Sequence, residues 1–102
     1  MSLVGHRARK SFTIRLYEEE RDINRLESIK ISQEIERVAR NAFVRFLGKI
    51  GTVESQVKFD VIENGVAKIS CDESYNIQIQ NALSLFMRDT ETNKNYLFYF
   101  YS

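Results

Sequence analysis

Proline is absent from this 102-residue chain, and cysteine and histidine each occur once. The lone Cys71 excludes an internal disulfide and a cysteine-based zinc site. Its place at the end of an apolar strand reads as a buried, inert thiol. The single histidine, His6, falls in a basic N-terminal stretch and cannot be placed within a preformed catalytic site. Gly48 and Gly51 are separated by Lys49-Ile50, which fits neither dinucleotide nor P-loop spacing. No cysteine or histidine cluster is available for a transition metal. The adjacent Glu18, Glu19 and Glu20 read as a solvated strand end rather than a magnesium site. A chain without a nucleophile, base or metal set is expected to bind and position rather than catalyse, with no cofactor and no metal. No apolar run approaches the ~20 residues of a bilayer span, and the N-terminus has no apolar segment of a secretory signal. The expectation is a cytoplasmic protein away from membranes.

Apolar residues make up 43% and charged residues 28%, the values of an ordinary globular domain. The length suits one domain over residues 11–102, behind a basic arm at 1–10. The formal net charge is only +1, so the distribution of charge matters more than its sum. Arg7, Arg9 and Lys10 in the arm have no acid among them. The arm is either a solvated tail or an RNA-contacting segment.

Phe12, Ile14 and Leu16 alternate with Thr13, Arg15 and Tyr17, which predicts a half-buried strand over 11–17. Glu18 to Glu27 is acid-rich, with Ile23 and Leu26 at helical spacing, and reads as a short helix or an ordered loop. Ser32 is the expected N-cap of a long helix, with Glu34 and Glu36 in the first turn where the helix dipole favours negative charge. Ile35, Val38, Ala39, Ala42, Phe43, Phe46, Leu47 and Ile50 recur at three- and four-residue steps, an apolar stripe that needs burial against a sheet. Gly48 and Gly51 are candidates for its left-handed stop. Arg37, Arg40, Arg45 and Lys49 lie off the stripe, as a solvated face or as a phosphate-binding surface.

Val53 to Ile62 alternates as a strand, with Val57 and Phe59 on one face. Asn64-Gly65 supplies the positive φ angles of a type I′ turn, and Val66 to Cys71 returns as its partner. Asp72 or Ser74 caps a second helix with Tyr75, Ile79, Ala82, Leu83 and Phe86 on one face and Met87 beside it. Asp89 to Asn95 reads as a polar loop. Tyr96 to Tyr101 is a last strand, bulky on both faces and therefore expecting cover on both. The element order is strand, helix, strand, strand, helix, strand. It predicts an α+β, ferredoxin-like two-layer sandwich, with an antiparallel sheet and two helices on one face. Two helices leave one sheet face bare. Tyr96, Phe98 and Phe100 are then candidates for a partner interface, unless a terminal segment covers them.

The run Asn41-Ala42-Phe43-Val44-Arg45-Phe46-Leu47-Gly48-Lys49-Ile50-Gly51 resembles the helix and Phe-Leu-Gly segment of ribonuclease P protein component 2, a small subunit of archaeal and eukaryotic enzymes. Val57-Lys58-Phe59-Asp60 and Gly65 to Asp72 are similar to that family's hairpin, and Asn81 to Phe86 to its second helix. Lys10 to Leu16 matches its first strand, so the likeness spans about ninety residues in order and spacing. Ser70 stands where family members usually carry an arginine. They also continue past the last strand with a Ser-Gly-Thr segment and a basic tail, where this sequence reaches Ser102.

The resemblance implies an accessory subunit that supports a catalytic RNA removing the 5′ leader of precursor tRNA. It implies ribonuclease P RNA, precursor tRNA and a TIM-barrel-like protein component 3 as partners, and a homodimer joining two such pairs. Candidate phosphate contacts are Arg7, Arg9, Lys10, Arg37, Arg45, Lys49, Lys58 and Lys68. Base stacking on the two central strands is disfavoured, because Val66 to Cys71 has no aromatic residue. Two other readings stay open. One is a protein-interaction module, a small dimer pairing through its aromatic last strand without RNA. The other is a small-molecule sensing domain of the same fold.

Overall fold

The computed structural model describes residues 8–20, 25–85, 88–89 and 93–101. Its elements are strands β1 (Arg9–Glu20) and β2 (Arg25–Ser28), helix α1 (Ser32–Glu54), strands β3 (Lys58–Glu63) and β4 (Val66–Asp72), helix α2 (Asn76–Leu85), and strands β5 (Arg88–Asp89) and β6 (Lys94–Tyr101). A single 3₁₀ turn, Glu73–Tyr75, leads into α2. The protein is therefore α+β, with an antiparallel sheet and two helices. The strands run in the order β3-β4-β1-β6-β5, and β2 pairs with β1 beside that path. Among the described residues six strands stand where four were expected.

Long β1 organises the sheet. Its first part pairs with β4, from Arg9 opposite Asp72 to Arg15 opposite Val66. Its last residues, Tyr17 to Glu20, pair instead with β2. On the other side β6 runs from Thr13 opposite Tyr101 to Glu18 opposite Tyr96. Two expectations are corrected here. Arg9 and Lys10 belong to β1 rather than to an arm, while His6 and Arg7 lie outside the described residues. The acid-rich stretch is neither helix nor loop at its ends, because Glu18–Glu20 and Arg25–Ser28 pair as strands.

The core lies between one sheet face and the helices. Ile14, Leu16, Ala67, Ile69, Cys71, Tyr96 and Phe98 from the sheet meet Ile35, Val38, Ala39, Ala42 and Phe43 of α1 and Ile79, Ala82 and Leu83 of α2. Side chains alternate along a strand, so the register puts the sheet members of this set on a single face. Phe43 is fully buried, and its ring lies 6.3 Å from that of Phe59 on β3. Burial of a side chain of this size contributes about 1.5–3 kcal/mol.

The apolar stripe of α1 is only partly used. Phe46 and Ile50 are exposed. Gly48 breaks the helical path with φ 77° and ψ 171°. A glycine takes that conformation without steric cost, and the helix resumes after it instead of stopping. The resumed turns reach Glu54, so Val53 is an exposed helix residue and not the start of a strand. Ser32 is not the cap; Ile31 holds that position, without a side-chain hydrogen bond.

The Asn64-Gly65 turn is present, with φ of 53° and 82°. A β-bulge between Phe59 and Val61 then shifts the register, so Ile62 pairs with Ala67 and packs against the core. Asp72 caps the 3₁₀ turn, its Oδ1 accepting from the Ser74 N–H at 3.0 Å. Phe86 and Met87, expected beside the α2 stripe, lie outside the described residues. The expected polar loop before the last strand contributes β5, which pairs with Lys94 and Asn95.

Candidate nucleic-acid interface

The helix-free face of the sheet is set by the same alternation that builds the core. Arg9, Ser11, Thr13, Arg15, Tyr17 and Glu19 of β1 have the opposite parity to Ile14 and Leu16. Register adds Lys68 and Ser70 from β4, Lys58 from β3 opposite Ser70, and Leu97 and Tyr99 from β6. No described helix residue joins this side of the sheet in the core cluster.

Charge and ring character divide across this face. Arg9, Arg15, Lys58 and Lys68 fall on β1, β3 and β4. Lys58 and Lys68 are exposed, and Arg15 is half-buried between Val66 and Tyr99 in the register. The Arg9 Nη2 donates to the Gln56 carbonyl at 2.8 Å and to Ser70 Oγ at 2.9 Å. The guanidinium thus reaches Ser70 from the neighbouring strand. Acids border these bases: Asp72 is the register partner of Arg9, and Asp60 is exposed at the β3 bulge. Glu19 accepts from Asn95 Nδ2 at 3.1 Å, Glu63 lies at the hairpin turn, and Asp72 is buried beside Ser74. On the other half, Tyr17 and Tyr99 form an edge-to-face pair with centroids 4.9 Å apart and planes at 89°. Tyr99 is 45% exposed.

The helix bases do not join this surface. Arg37 is ion-paired with Glu34, and Arg40 with Glu36 at 2.7 Å. Arg40 also lies 5.0 Å over the Phe59 ring, on the β3 side of the molecule. Arg45 donates to the Arg88 carbonyl on β5, at the opposite end of the strand order. Lys49 is exposed beyond the Gly48 break. Lys10 is exposed but has the parity of the core face, opposite Cys71. Of the eight bases expected to contact phosphate, the sheet gathers Arg9, Lys58 and Lys68, and adds Arg15, which was not among them.

The expected interface of Tyr96, Phe98 and Phe100 is corrected. Tyr96 is 2% and Phe98 5% exposed, because register with Glu18 and Leu16 turns both toward the helices. The Tyr96 hydroxyl contacts Glu34 Oε1 at 3.2 Å. Phe100 shares their parity but lies near the sheet end, 38% exposed and 5.8 Å from the Phe12 ring. The open side of the strand carries Leu97 and Tyr99 instead.

The acids and the thiol weighed in the sequence, Glu18, Glu19 and Cys71, fall among the described residues. No group of three His, Cys, Asp or Glu side chains that could hold a metal ion occurs among them. Glu18 and Glu19 point to opposite sheet faces; Glu18 pairs with Lys94 at 3.2 Å and holds that ammonium's pKa above its ordinary value. Cys71 is buried, and burial pushes its thiol pKa up, which is the reverse of a reactive cysteine. An open depression at the start of β1 is lined by Ala8, Asp72, Glu73 and Ser74. No described helix is long and apolar enough to cross a membrane. No protein-family model matches the chain, and no curated protein matches it.

Proposed function

We propose that this chain is an RNA-binding accessory subunit, of the type of ribonuclease P protein component 2, with a ferredoxin-like core. Without β2 and β5, the strand order β3-β4-β1-β6 is that of the second, third, first and fourth strands of a βαββαβ plan. β2 and β5 are short additions to it. The observation that carries the functional reading is the helix-free face, where Arg9, Arg15, Lys58 and Lys68 project from three hydrogen-bonded strands. Bases on a rigid sheet are held in place before binding, so phosphate contact costs less ordering of the protein. The chain acts as a positioning subunit, and the cleavage chemistry belongs to the RNA it supports. Ribonuclease P RNA, precursor tRNA and protein component 3 are its partners in this reading, with a cytoplasmic location.

A second reading is favoured by one feature. β5 covers only the Lys94–Asn95 end of β6, so the outer edge of β6 from Tyr96 onward has no paired strand among the described residues. An apolar edge strand of this kind accepts another strand readily. This is the protein-interaction module, a dimer formed through the last strand.

Filter binding with ribonuclease P RNA separates the two, alone and with protein component 3 present. Salt-sensitive binding, together with enhanced 5′-leader removal when the chain is added, supports the first reading. A stable dimer with no affinity for RNA at low salt overturns it and leaves the second.

A further inference from the structure

We infer that the aromatic half of the helix-free face takes an unpaired base of single-stranded RNA, stacked on Tyr99, while the strand's phosphates run toward Lys68. The inference rests on the reading of the chain as an RNA-binding subunit, and names the form of RNA that this face takes.

Base-stacking proteins need a ring held in place with one side open, close to a cationic track. Tyr99 meets both conditions. Its edge-to-face contact with Tyr17 fixes the pair of rings at 4.9 Å, yet Tyr99 remains 45% exposed. The ring is therefore ordered before a base arrives. Arg15 lies directly beside Tyr99 in the register, and Val66 beside Arg15; Lys68 is the next β4 residue on the same face. The path from Tyr99 to β4 crosses two strand spacings, about 10 Å. The platform uses β1 and β6, which are neighbours here. The aromatic-free strand β4 therefore supplies charge while β6 supplies the ring. The surrounding charge favours a polyanion, because Arg15 and Lys68 lie on the two inner strands, whereas Glu19 and Glu63 lie near strand ends.

The test measures fluorescence anisotropy of a labelled oligouridine of about ten nucleotides, against an abasic oligomer of the same length. Loss of one stacked base corresponds to about 5- to 150-fold in affinity. Tyr99→Ala is expected to weaken oligouridine binding by that factor and leave the abasic oligomer within about twofold, while Tyr99→Phe retains the affinity. Lys68→Gln is expected to weaken both oligomers alike. Tyr99 is exposed, and matching thermal melts verify that each variant is folded. If Tyr99→Ala leaves oligouridine binding unchanged while Lys68→Gln weakens it, the stacking site is overturned and the phosphate surface stands. If neither oligouridine nor ribonuclease P RNA binds, the functional reading falls with it. If Tyr99→Ala instead converts a dimer to a monomer without affecting oligouridine, this face covers a second copy and the inference is overturned.

Discussion

Replacing Lys58 and Lys68 together by glutamine tests the proposed phosphate surface quantitatively. Each phosphate neutralised contributes about 0.7 to 0.9 to the slope of log affinity against log salt. The four bases of the face, Arg9, Arg15, Lys58 and Lys68, set a slope of about −2.8 to −3.6 if each engages one phosphate. Raising salt from about 50 to about 200 mM then weakens binding by about 50- to 150-fold. Removing two of the four halves the slope to about −1.4 to −1.8, so the same change weakens the variant by only about 7- to 12-fold. Both lysines are exposed, and the substitutions change stability by less than about 0.5 kcal/mol. Filter binding or anisotropy across a salt series reads the slope, and circular dichroism checks the fold. As a control, Arg45→Gln with Lys49→Gln keeps the parent slope, because Arg45 is turned to the β5 side and Lys49 lies past the helix break. An unchanged slope in the sheet variant, with a reduced slope in the helix variant, would refute the reasoning.

Other perturbations address the scaffold. Gly65→Ala places a Cβ 3.0 Å from the Ile29 carbonyl at φ +82°, and the left-handed conformation alone costs about 1–2 kcal/mol. The melting temperature falls by about 4–16 °C as a result, whereas Asn64→Gly leaves it nearly unchanged. Phe98→Ser empties part of the core beneath the helices and costs about 3–5 kcal/mol in a urea melt; a change of oligomeric state with unchanged stability would contradict its burial. Cys71 resists a thiol reagent until the protein unfolds. Its raised folded pKa contributes stability that is complete below the ordinary thiol value of 9.0 and is lost as pH rises from there through the folded value. Cys71→Ala therefore shows a shallower alkaline decline than the parent chain.

The parts of the fold legible in the sequence were those where one pattern dominates. Alternation of Phe12, Ile14 and Leu16 gave β1, and Asn64-Gly65 gave the hairpin turn. Ile35 to Phe43 gave the buried face of α1. Beyond Gly48 the pattern misled. Ile50 and Val53 keep apolar spacing, but the sheet core does not extend beneath them, so both are exposed. The apolar-polar steps from Val53 read as a strand although backbone hydrogen bonds continue the helix to Glu54. β2 was hidden because its partner residues, Glu18 to Glu20, are charged; main-chain pairing leaves no hydrophobic signature there.

The candidate site was half legible. Lys58 was recognisable on the polar side of its strand, whereas the adjacent apolar Val66 and Ala67 left the side of Lys68 unassigned. Arg15 carried a signal, its place between Thr13 and Tyr17 on the polar side of β1, but only the register with β4 sets it near Lys68. The last strand is bulky on both faces, so hydrophobicity could not say which residues turn inward. Only its register with β1 decides it, and it places Tyr96 and Phe98 under the helices and Tyr99 in the open. Grouping the bases needed three dimensions, since Arg37 and Arg40 pair with Glu34 and Glu36 on the helix and Arg45 lies beside β5, away from β3 and β4.

Titrating RNA into isotopically labelled protein and following backbone amide shifts by NMR locates the contact surface most directly. The account predicts the largest changes at Thr13, Arg15, Tyr17, Lys68 and Tyr99, with α1 from Arg37 to Lys49 little affected. Shifts concentrated on α1, with the helix-free strands unmoved, would contradict it.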